Sequence, residues 1–371
     1  MKKIRLVVVN LTVRSISGGY REYLTQFFSR VGIESSIEAI LFIAVPDVAS
    51  RFSGYSKVET LDLSPIHAFL SSIGSLSKAI EAFQPDLVFA PMEKCVRGYH
   101  AVPVVTMVQN MEPFVPLTKG NSAIWNMILK RMRRRAIAAI RHSDHVIALS
   151  DFVRQEVKSV TGIDDQNITL IPHGSMLDEG VLAVRPVPIV DGETFIFSAG
   201  ILSPARGIDD LVHAFIDLKK HGRLAGITLC IAGDKHKYNG RWVDKLVRDI
   251  ARAGLTDRVK WLGFLNKAEM KWCFQNTSVF VLTSKVESFC ITAVEAMMYK
   301  APVVSSTSPC LPETLGSYPV YYEPGNWAQL ADKILSQLKQ NNVYRGKPPA
   351  NLVTWDENFA RTMSLFRKLT I

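Results

Sequence analysis

Cysteines, long apolar runs and short repeats are scarce in this sequence, and each scarcity excludes a class of protein. The five cysteines are odd in number and never stand in C-x-x-C spacing, so neither a disulfide framework nor a zinc site is indicated. No apolar run approaches the roughly 20 residues that a membrane-spanning helix needs. No short period recurs along the chain, which excludes a solenoid. The first ten residues read as a strand whose apolar core is too short for a signal peptide, so we expect a cytoplasmic protein.

Acidic residues are missing from one long stretch, because no Asp or Glu occurs between Glu112 and Asp144. The net charge of the chain is +10. On a helical wheel, the stretch from Trp125 to Arg141, with Ile124 just before it, places Ile124, Ile128, Met132, Ala136 and Ala139 on one side, with basic residues opposite. The pattern fits an ordinary helix with a solvated face. It also fits contact with anionic lipid headgroups, through Lys130, Arg131, Arg133, Arg134 and Arg135. The stacking aromatics that single-stranded nucleic acid needs are not interleaved here, so no nucleic-acid partner is expected.

The length and the element pattern predict two domains. A chain of 371 residues with 47% apolar residues is too long for one ordinary core. Strand-like runs alternate with helical ones from end to end, which indicates βαβ units and two parallel sheets. A stretch without sustained period, Pro172 to Asp191, separates the two series. We therefore predict an α/β fold with domains at 1–175 and 176–350, followed by a final helix within 351–371.

The most informative motif places two carboxylates, Glu287 and Glu295, across a turn from a strand to a helix. The apolar run that ends at Thr283 predicts a buried strand, and the run from Ile291 to Tyr299 has helical periodicity. Free N–H groups at the start of that helix, with the Thr292 hydroxyl, suit a diphosphate. A carboxylate such as Glu295 can accept both hydroxyls of a ribose. The combination indicates a sugar nucleotide.

This spacing resembles the E-x7-E motif of retaining GT-B glycosyltransferases of family 4, and Pro302–Ser306 followed by Glu313 resembles the strand and loop after it. The resemblance implies two Rossmann-like, doubly wound domains facing across a cleft, with the final helix returning to the first domain. The family usually has glycine where this chain has Ser288, Cys290 and Lys300.

The resemblance also implies a donor site in the second domain. The motif from Gly200 to Leu211 places Arg206 on the family's lysine, while Ile201 replaces its arginine, and Lys235 is a candidate substitute. The family uses such cations on the diphosphate, and a glutamate at the position of Glu287 on hydroxyls of the transferred sugar, so Arg206 and Glu287 are the predicted catalytic residues. Phe264 lies in Gly263-Phe264-Leu265, which follows a predicted strand and resembles the family's loop that holds the base. The full predicted donor site consists of Gly18, Gly19, Arg206, Gly207, Phe264, Glu287, Phe289, Cys290, Ile291, Thr292 and Glu295.

On the acceptor side, Gln109 and Asn110 follow a probable strand and stand where many family members have histidine, so they are predicted to bind sugar hydroxyls. A glycosidase-like pairing of the two glutamates is the rival interpretation of the motif. His142 and His145 have spacing compatible with a metal site, and His173 is compatible with either a structural or a catalytic role. No D-x-D occurs, which agrees with metal-independent GT-B chemistry, so neither metal nor cofactor is expected.

The resemblance thus implies a hexosyltransferase-type enzyme (EC 2.4) that moves a sugar from a UDP-, GDP- or dTDP-linked donor to a glycan or lipid-linked glycan. Bacterial surface-polysaccharide assembly, such as that of O-antigen, capsule or exopolysaccharide, would suit it. The expected location is cytoplasmic and peripheral on the inner face of the membrane. Two alternatives stay open. One is a GT-B sugar-nucleotide epimerase or hydrolase, and the other is a non-catalytic peripheral membrane binding protein on a degenerate GT-B scaffold.

Overall fold

The computed structural model describes residues 2–12, 16, 18–65, 74–94, 101–116, 119–177, 180–224, 226–339, 348–349 and 352–370. The chain divides into two compact units. The first unit consists of Met1–Phe114, Lys130–Gly174 and Val353–Ile371, and the second consists of Val115–Leu129 and Ser175–Leu352. The helix Ala123–His142 thus contributes its first residues to the second unit and the remainder to the first.

The first unit is built on a parallel sheet in the order β3-β2-β1-β4-β5-β6-β7. Its strands are β1 (Ile4–Val9), β2 (Ile37–Ala44), β3 (Val58–Asp62), β4 (Leu87–Ala90), β5 (Val104–Val108), β6 (His145–Ala148) and β7 (Ile168–Leu170). The described helices are α1 (Gly18–Val31), α2 (Pro46–Ala49), α3 (Gly74–Phe83), α4 (Ala123–His142), α5 (Asp151–Thr161) and the final helix, α12 (Trp355–Leu369). Strands β4, β5 and β6 are buried throughout, as expected for a parallel sheet that is covered on both faces.

The second unit repeats the design with a parallel sheet in the order β10-β9-β8-β11-β12-β13. Its strands are β8 (Thr194–Ala199), β9 (Ile227–Ala232), β10 (Val259–Gly263), β11 (Val279–Leu282), β12 (Val303–Ser306) and β13 (Val320–Tyr322). Its helices are α6 (Ile208–Lys220), α7 (Gly240–Arg252), α8 (Lys267–Asn276), α9 (Ile291–Met298), α10 (Cys310–Leu315) and α11 (Trp327–Lys339). The predicted α/β class with two Rossmann-like units is confirmed.

Strand order determines where each sheet can bind a ligand. In the second unit the order reverses at β8, which pairs with β9 on one side and β11 on the other. The first unit reverses likewise at β1, between β2 and β4. Open parallel sheets bind ligands beyond the carboxyl ends of the strands at such a reversal. The loops after β8 and β11 therefore mark the expected site of the second unit.

The final helix, predicted to return to the first domain, packs on the first unit. Phe359 lies 5.5 Å from Phe27 and Phe366 lies 5.1 Å from Phe89, measured between ring centroids. A capping box between Thr354 and Glu357 starts the helix. In the described part of the chain, no helix is both long and apolar enough to cross a membrane.

Candidate functional site

The loops after β8 and β11 are joined by backbone contacts at the reversal point of the second sheet. The Thr283 hydroxyl donates to the Arg206 carbonyl at 2.8 Å, and the Lys285 amide donates to the Ala205 carbonyl at 2.8 Å. Between them, Gly207 has φ +63°, and a β-carbon there would lie 2.1 Å from the Thr283 carbonyl oxygen. Only glycine allows this approach, which brings Arg206 against the loop that carries Glu287.

Arg206 and Glu287, predicted separately as catalytic residues, form an ion pair with each other. Glu287 is buried, and its Oε1 also accepts a hydrogen bond of 2.8 Å from the Ser284 hydroxyl. The Arg206 side chain keeps 36% of its surface exposed. A buried carboxylate is costly unless paired, so Glu287 holds the guanidinium at the sheet edge while one side of it stays open to a ligand.

Helix α9 begins at Ile291, four positions after Glu287 along the chain. Its N-cap residue, Cys290, has φ +75°, and Lys300 after the helix has φ +60°. Both are positions at which glycine is expected from the resemblance, and this backbone conformation explains that preference. The amides of Ile291 and Thr292 precede the first intrahelical bonds, which begin with the amides of Ala293 and Val294 to the Cys290 carbonyl. The helix thus presents free N–H groups at its amino end.

Glu295 lies close enough to Cys290 to affect its thiol electrostatically. Burial raises the pKa of the Cys290 thiol, the charge of Arg206 lowers it, and Glu295 raises it further. Glu295 is half-buried in α9, one turn beyond Ile291. Arg206 and the second carboxylate of the E-x7-E motif therefore both act electrostatically on the Cys290 thiol at the start of α9.

Some of the other predicted donor residues have exposed side chains, and others have buried ones. Phe264, directly after β10, is 62% exposed, so solvent reaches its side chain. Phe289 is buried, so only its backbone can meet a ligand. Lys235 pairs with Asp244 at 3.0 Å on an exposed surface, which provides no support for it as the substitute for the missing arginine at Ile201. Gly18 and Gly19 start α1 in the first unit and are exposed, while much of the loop before them lies outside the described residues.

Two family models match this chain. Residues 183–350 match the model of glycosyl transferases group 1, and residues 47–179 match that of Glycosyltransferase Family 4. The part of the chain that contains the site is therefore similar to a group 1 glycosyltransferase domain.

Two curated relatives share part of the chain with this protein. An uncharacterized glycosyltransferase of Methanocaldococcus jannaschii is 25% identical over 61% of this chain and 60% of its own length. The O-antigen chain mannosyltransferase B of Escherichia coli is 24% identical over 46% of this chain and 45% of its own length. The match thus spans between about half and three fifths of these relatives.

A solved structure, HepE of Anabaena in complex with UDP and glucose, superposes with a TM-score of 0.74 and 18% identity, covering 99% of this chain and 100% of HepE. At this identity the likeness shows the fold alone. It agrees with the GT-B assignment for the part similar to a group 1 domain and the unit that precedes it.

The predicted acceptor residues lie at the carboxyl end of β5 in the first unit. Gln109 is half-buried and its Nε2 donates to the Pro91 carbonyl at 2.8 Å. Asn110 is also half-buried, and its side-chain oxygen accepts from the Glu112 amide at 3.0 Å. The Gln109 side chain therefore joins its loop to the loop after β4, and the Asn110 side chain stabilises its own loop.

A buried acid that was not predicted from the sequence lies beside them. Glu93 follows β4, is 7% exposed, and accepts long hydrogen bonds of 3.3 and 3.4 Å from the amides of Gln109 and Asn110. Burial raises the pKa of its carboxyl. Asn10, after β1, is fully buried, and its Nδ2 has no acceptor among the described residues. A polar residue shortly after each of two adjacent buried strands, one position after β1 and three positions after β4, was the signal that could have found them.

The histidines considered for catalysis or metal binding have structural surroundings. His173 is buried in the first unit between the rings of Tyr23 and Trp355, and burial lowers its pKa to about 3. His145 Nε2 lies 2.7 Å from the Thr169 hydroxyl, and burial lowers its pKa too. Within the described ranges, no three His, Cys, Asp or Glu side chains are grouped to hold a metal ion.

The basic stretch forms α4 as predicted, but its cations are not equivalent. Lys130, Arg131 and Arg134 are exposed, whereas Arg133 is half-buried and donates to the Phe114 carbonyl. Arg135 is half-buried as well. The predicted apolar face is wrong at Ile124, which is 58% exposed, because this first turn belongs to the second unit and the wheel assumed one packing partner for the whole helix.

Proposed function

We propose that this protein is a retaining glycosyltransferase of family 4 that moves a sugar from a nucleotide donor to a glycan or lipid-linked glycan. The observation that carries the proposal is the convergence of the Arg206–Glu287 ion pair, the start of α9 and Glu295 at the reversal point of the second sheet. The HepE complex with UDP and glucose supports a nucleotide-sugar donor, and the O-antigen mannosyltransferase supports surface-polysaccharide assembly.

In the proposed reaction, the bond between the sugar's anomeric carbon and the phosphate oxygen breaks while a bond to the acceptor oxygen forms on the same face. The departing phosphate takes the proton of the acceptor hydroxyl, so the protein needs no general base. Negative charge grows on the phosphate, where the Arg206 guanidinium and the α9 amides stabilise it. Glu287 orients Arg206 and accepts hydroxyls of the sugar, and Glu295 accepts those of the ribose.

The test is a panel of UDP-, GDP- and dTDP-sugars, scored first by thermal shift and then by release of free nucleotide with and without an acceptor extract. Release that requires the acceptor is the expected result. Equal release without acceptor would indicate a hydrolase, and binding without release would favour an epimerase or a non-catalytic binding protein. No shift with any donor would contradict nucleotide-sugar binding altogether.

We expect activity to survive EDTA. The proposed reaction neutralises the leaving phosphate with Arg206 and backbone amides, and the described residues offer no grouped metal ligands. Initial rates with and without EDTA, each repeated after addition of excess Mg²⁺ or Mn²⁺, provide the measurement. Loss of activity on chelation that either ion restores would refute metal-independent transfer.

The enzyme is proposed to act in the cytoplasm as a peripheral protein at the inner face of the membrane, through the exposed cations of α4. Replacing Lys130, Arg131 and Arg134 by Ser should release it from anionic liposomes at about 0.15 M salt, because each cation near such a surface contributes about 1 kcal/mol within a Debye length of ~8 Å. Arg133 is left in place because it holds the Phe114 carbonyl.

The matched control replaces Arg223, Lys245 and Arg252 of the second unit by Ser, which changes the net charge equally. This control should sediment with the liposomes as the parent does, while both variants transfer sugar to a short water-soluble acceptor at the parental rate. Equal sedimentation of the two variants and the parent would make the α4 cations an ordinary solvated face.

A further inference from the structure

The segment Val115–Leu129 comes from the first half of the chain but packs within the second unit. Gly120 has φ +96°, and a β-carbon on it would lie 2.9 Å from the Trp242 ring and 3.4 Å from Pro204. Pro204 begins the turn that ends at Arg206. The segment is therefore fixed directly against the donor motif, at a point where a side chain does not fit.

A second set of contacts holds the segment just beyond Gly120. The buried Asn239 accepts from the Ser122 amide at 3.1 Å and donates to the Asn121 side chain at 3.3 Å. Trp125 stacks on Tyr238 with ring centroids 5.5 Å apart, and it meets the His236 ring at 4.4 Å. These contacts restrict where the residue before Gly120 can lie.

That residue, Lys119, lines a cavity of about 310 Å³ together with Val115, Pro116, Lys285 and Val286. Lys285 and Val286 stand immediately before Glu287 in the E-x7-E loop. An exposed lysine from the first half of the chain thus shares a cavity with the donor loop.

The cations near this cavity differ in whether they have a carboxylate partner. Arg206 pairs with Glu287, and Lys285 pairs with Asp209 at 3.0 Å. Where the family resemblance implies a second cation, this chain has the half-exposed Ile201. Lys119, by contrast, has no ion pair or hydrogen bond with any residue that the structure describes. It can therefore bind an external anion without breaking an existing pair.

We propose that Lys119 is the second donor-side cation and contacts phosphate oxygens of the nucleotide sugar, in place of the positive charge that is missing at Ile201. This assignment rests on the proposed function, because it takes the donor to be a nucleoside diphosphate sugar. An ammonium group serves as a point charge for phosphate, and a charged hydrogen bond contributes enough to be measured in affinity.

The experiment compares Lys119→Ala and Lys119→Arg with the parent by calorimetric titration of UDP, GDP and dTDP. For the diphosphate that the parent binds, Lys119→Ala should weaken binding about tenfold, with a smaller dependence of affinity on salt. Lys119→Arg should retain most of the affinity, because the charge is kept. The matched control, Lys245→Ala, removes an exposed lysine of the same unit that is already paired with Asp249, and it should bind as the parent does.

Each other outcome is decisive. Parental affinity in Lys119→Ala would overturn the assignment of Lys119 while leaving the donor site intact. Weaker binding in Lys119→Ala together with a lowered melting temperature and no recovery in Lys119→Arg would make the residue structural. A parent that binds none of the three diphosphates would overturn the proposed function itself, and the role of Lys119 with it.

Discussion

Arg206→Ala should lower kcat of sugar transfer by about 10²–10³-fold, with a smaller effect on donor affinity. Arg206 is proposed to meet charge that grows on the leaving phosphate, so its contribution increases from the bound donor to the transition state. The loss also leaves the buried Glu287 without its cation. Steady-state kinetics with saturating acceptor separate kcat from KM.

Two variants sharpen this measurement. Arg206→Lys keeps the charge but loses the planar fork, so we expect an intermediate rate. Arg223→Ala removes an arginine that pairs with Asp332 on the surface of the same unit, and it should leave both constants unchanged. If Arg206→Ala raised KM alone at the parental kcat, Arg206 would contribute only to binding of the donor and not to additional stabilisation of the transition state.

Glu295→Gln should weaken nucleotide binding by roughly 1–3 kcal/mol, about five- to 150-fold, with the fold intact. A carboxylate accepts two ribose hydroxyls, whereas an amide offers one acceptor and turns a donor toward the other hydroxyl. Titration calorimetry of the diphosphate and a melting curve of the free protein are the measurements. Glu323→Gln, at an exposed carboxylate that accepts from Thr307, is the matched control. Equal affinity in Glu295→Gln and the parent would remove Glu295 from the site.

The sequence predicted most elements because their periods are strong. Helices α1, α4, α6 and α12 follow clear apolar patterns, and α6 and α12 begin and end where the pattern does. Strand β2, an inner and largely buried strand, was not predicted, and neither were β3, β7 and β13. The last three lie at sheet edges and cover five, three and three positions, with at most one buried residue each. Such short, half-covered strands carry no usable alternation.

Only part of the candidate site could be predicted from the sequence. Local spacing placed Glu287 before α9 and Glu295 within it, because one turn joins them. The pairing of Arg206 with Glu287 depends on two loops from different strands that meet only in the folded sheet. The position of Lys119 depends on a segment packing in the other unit, which no local pattern encodes.

Hydrogen–deuterium exchange with and without bound nucleotide tests the central claim most directly. The first amides of a helix lack intrahelical acceptors, so a phosphate that binds there slows their exchange. UDP, GDP or dTDP, whichever shifts the melting temperature, should slow exchange within 284–295 and 200–207, and leave α5 unchanged. Nucleotide binding that protects other segments and leaves 284–295 unaffected would contradict the donor site described above.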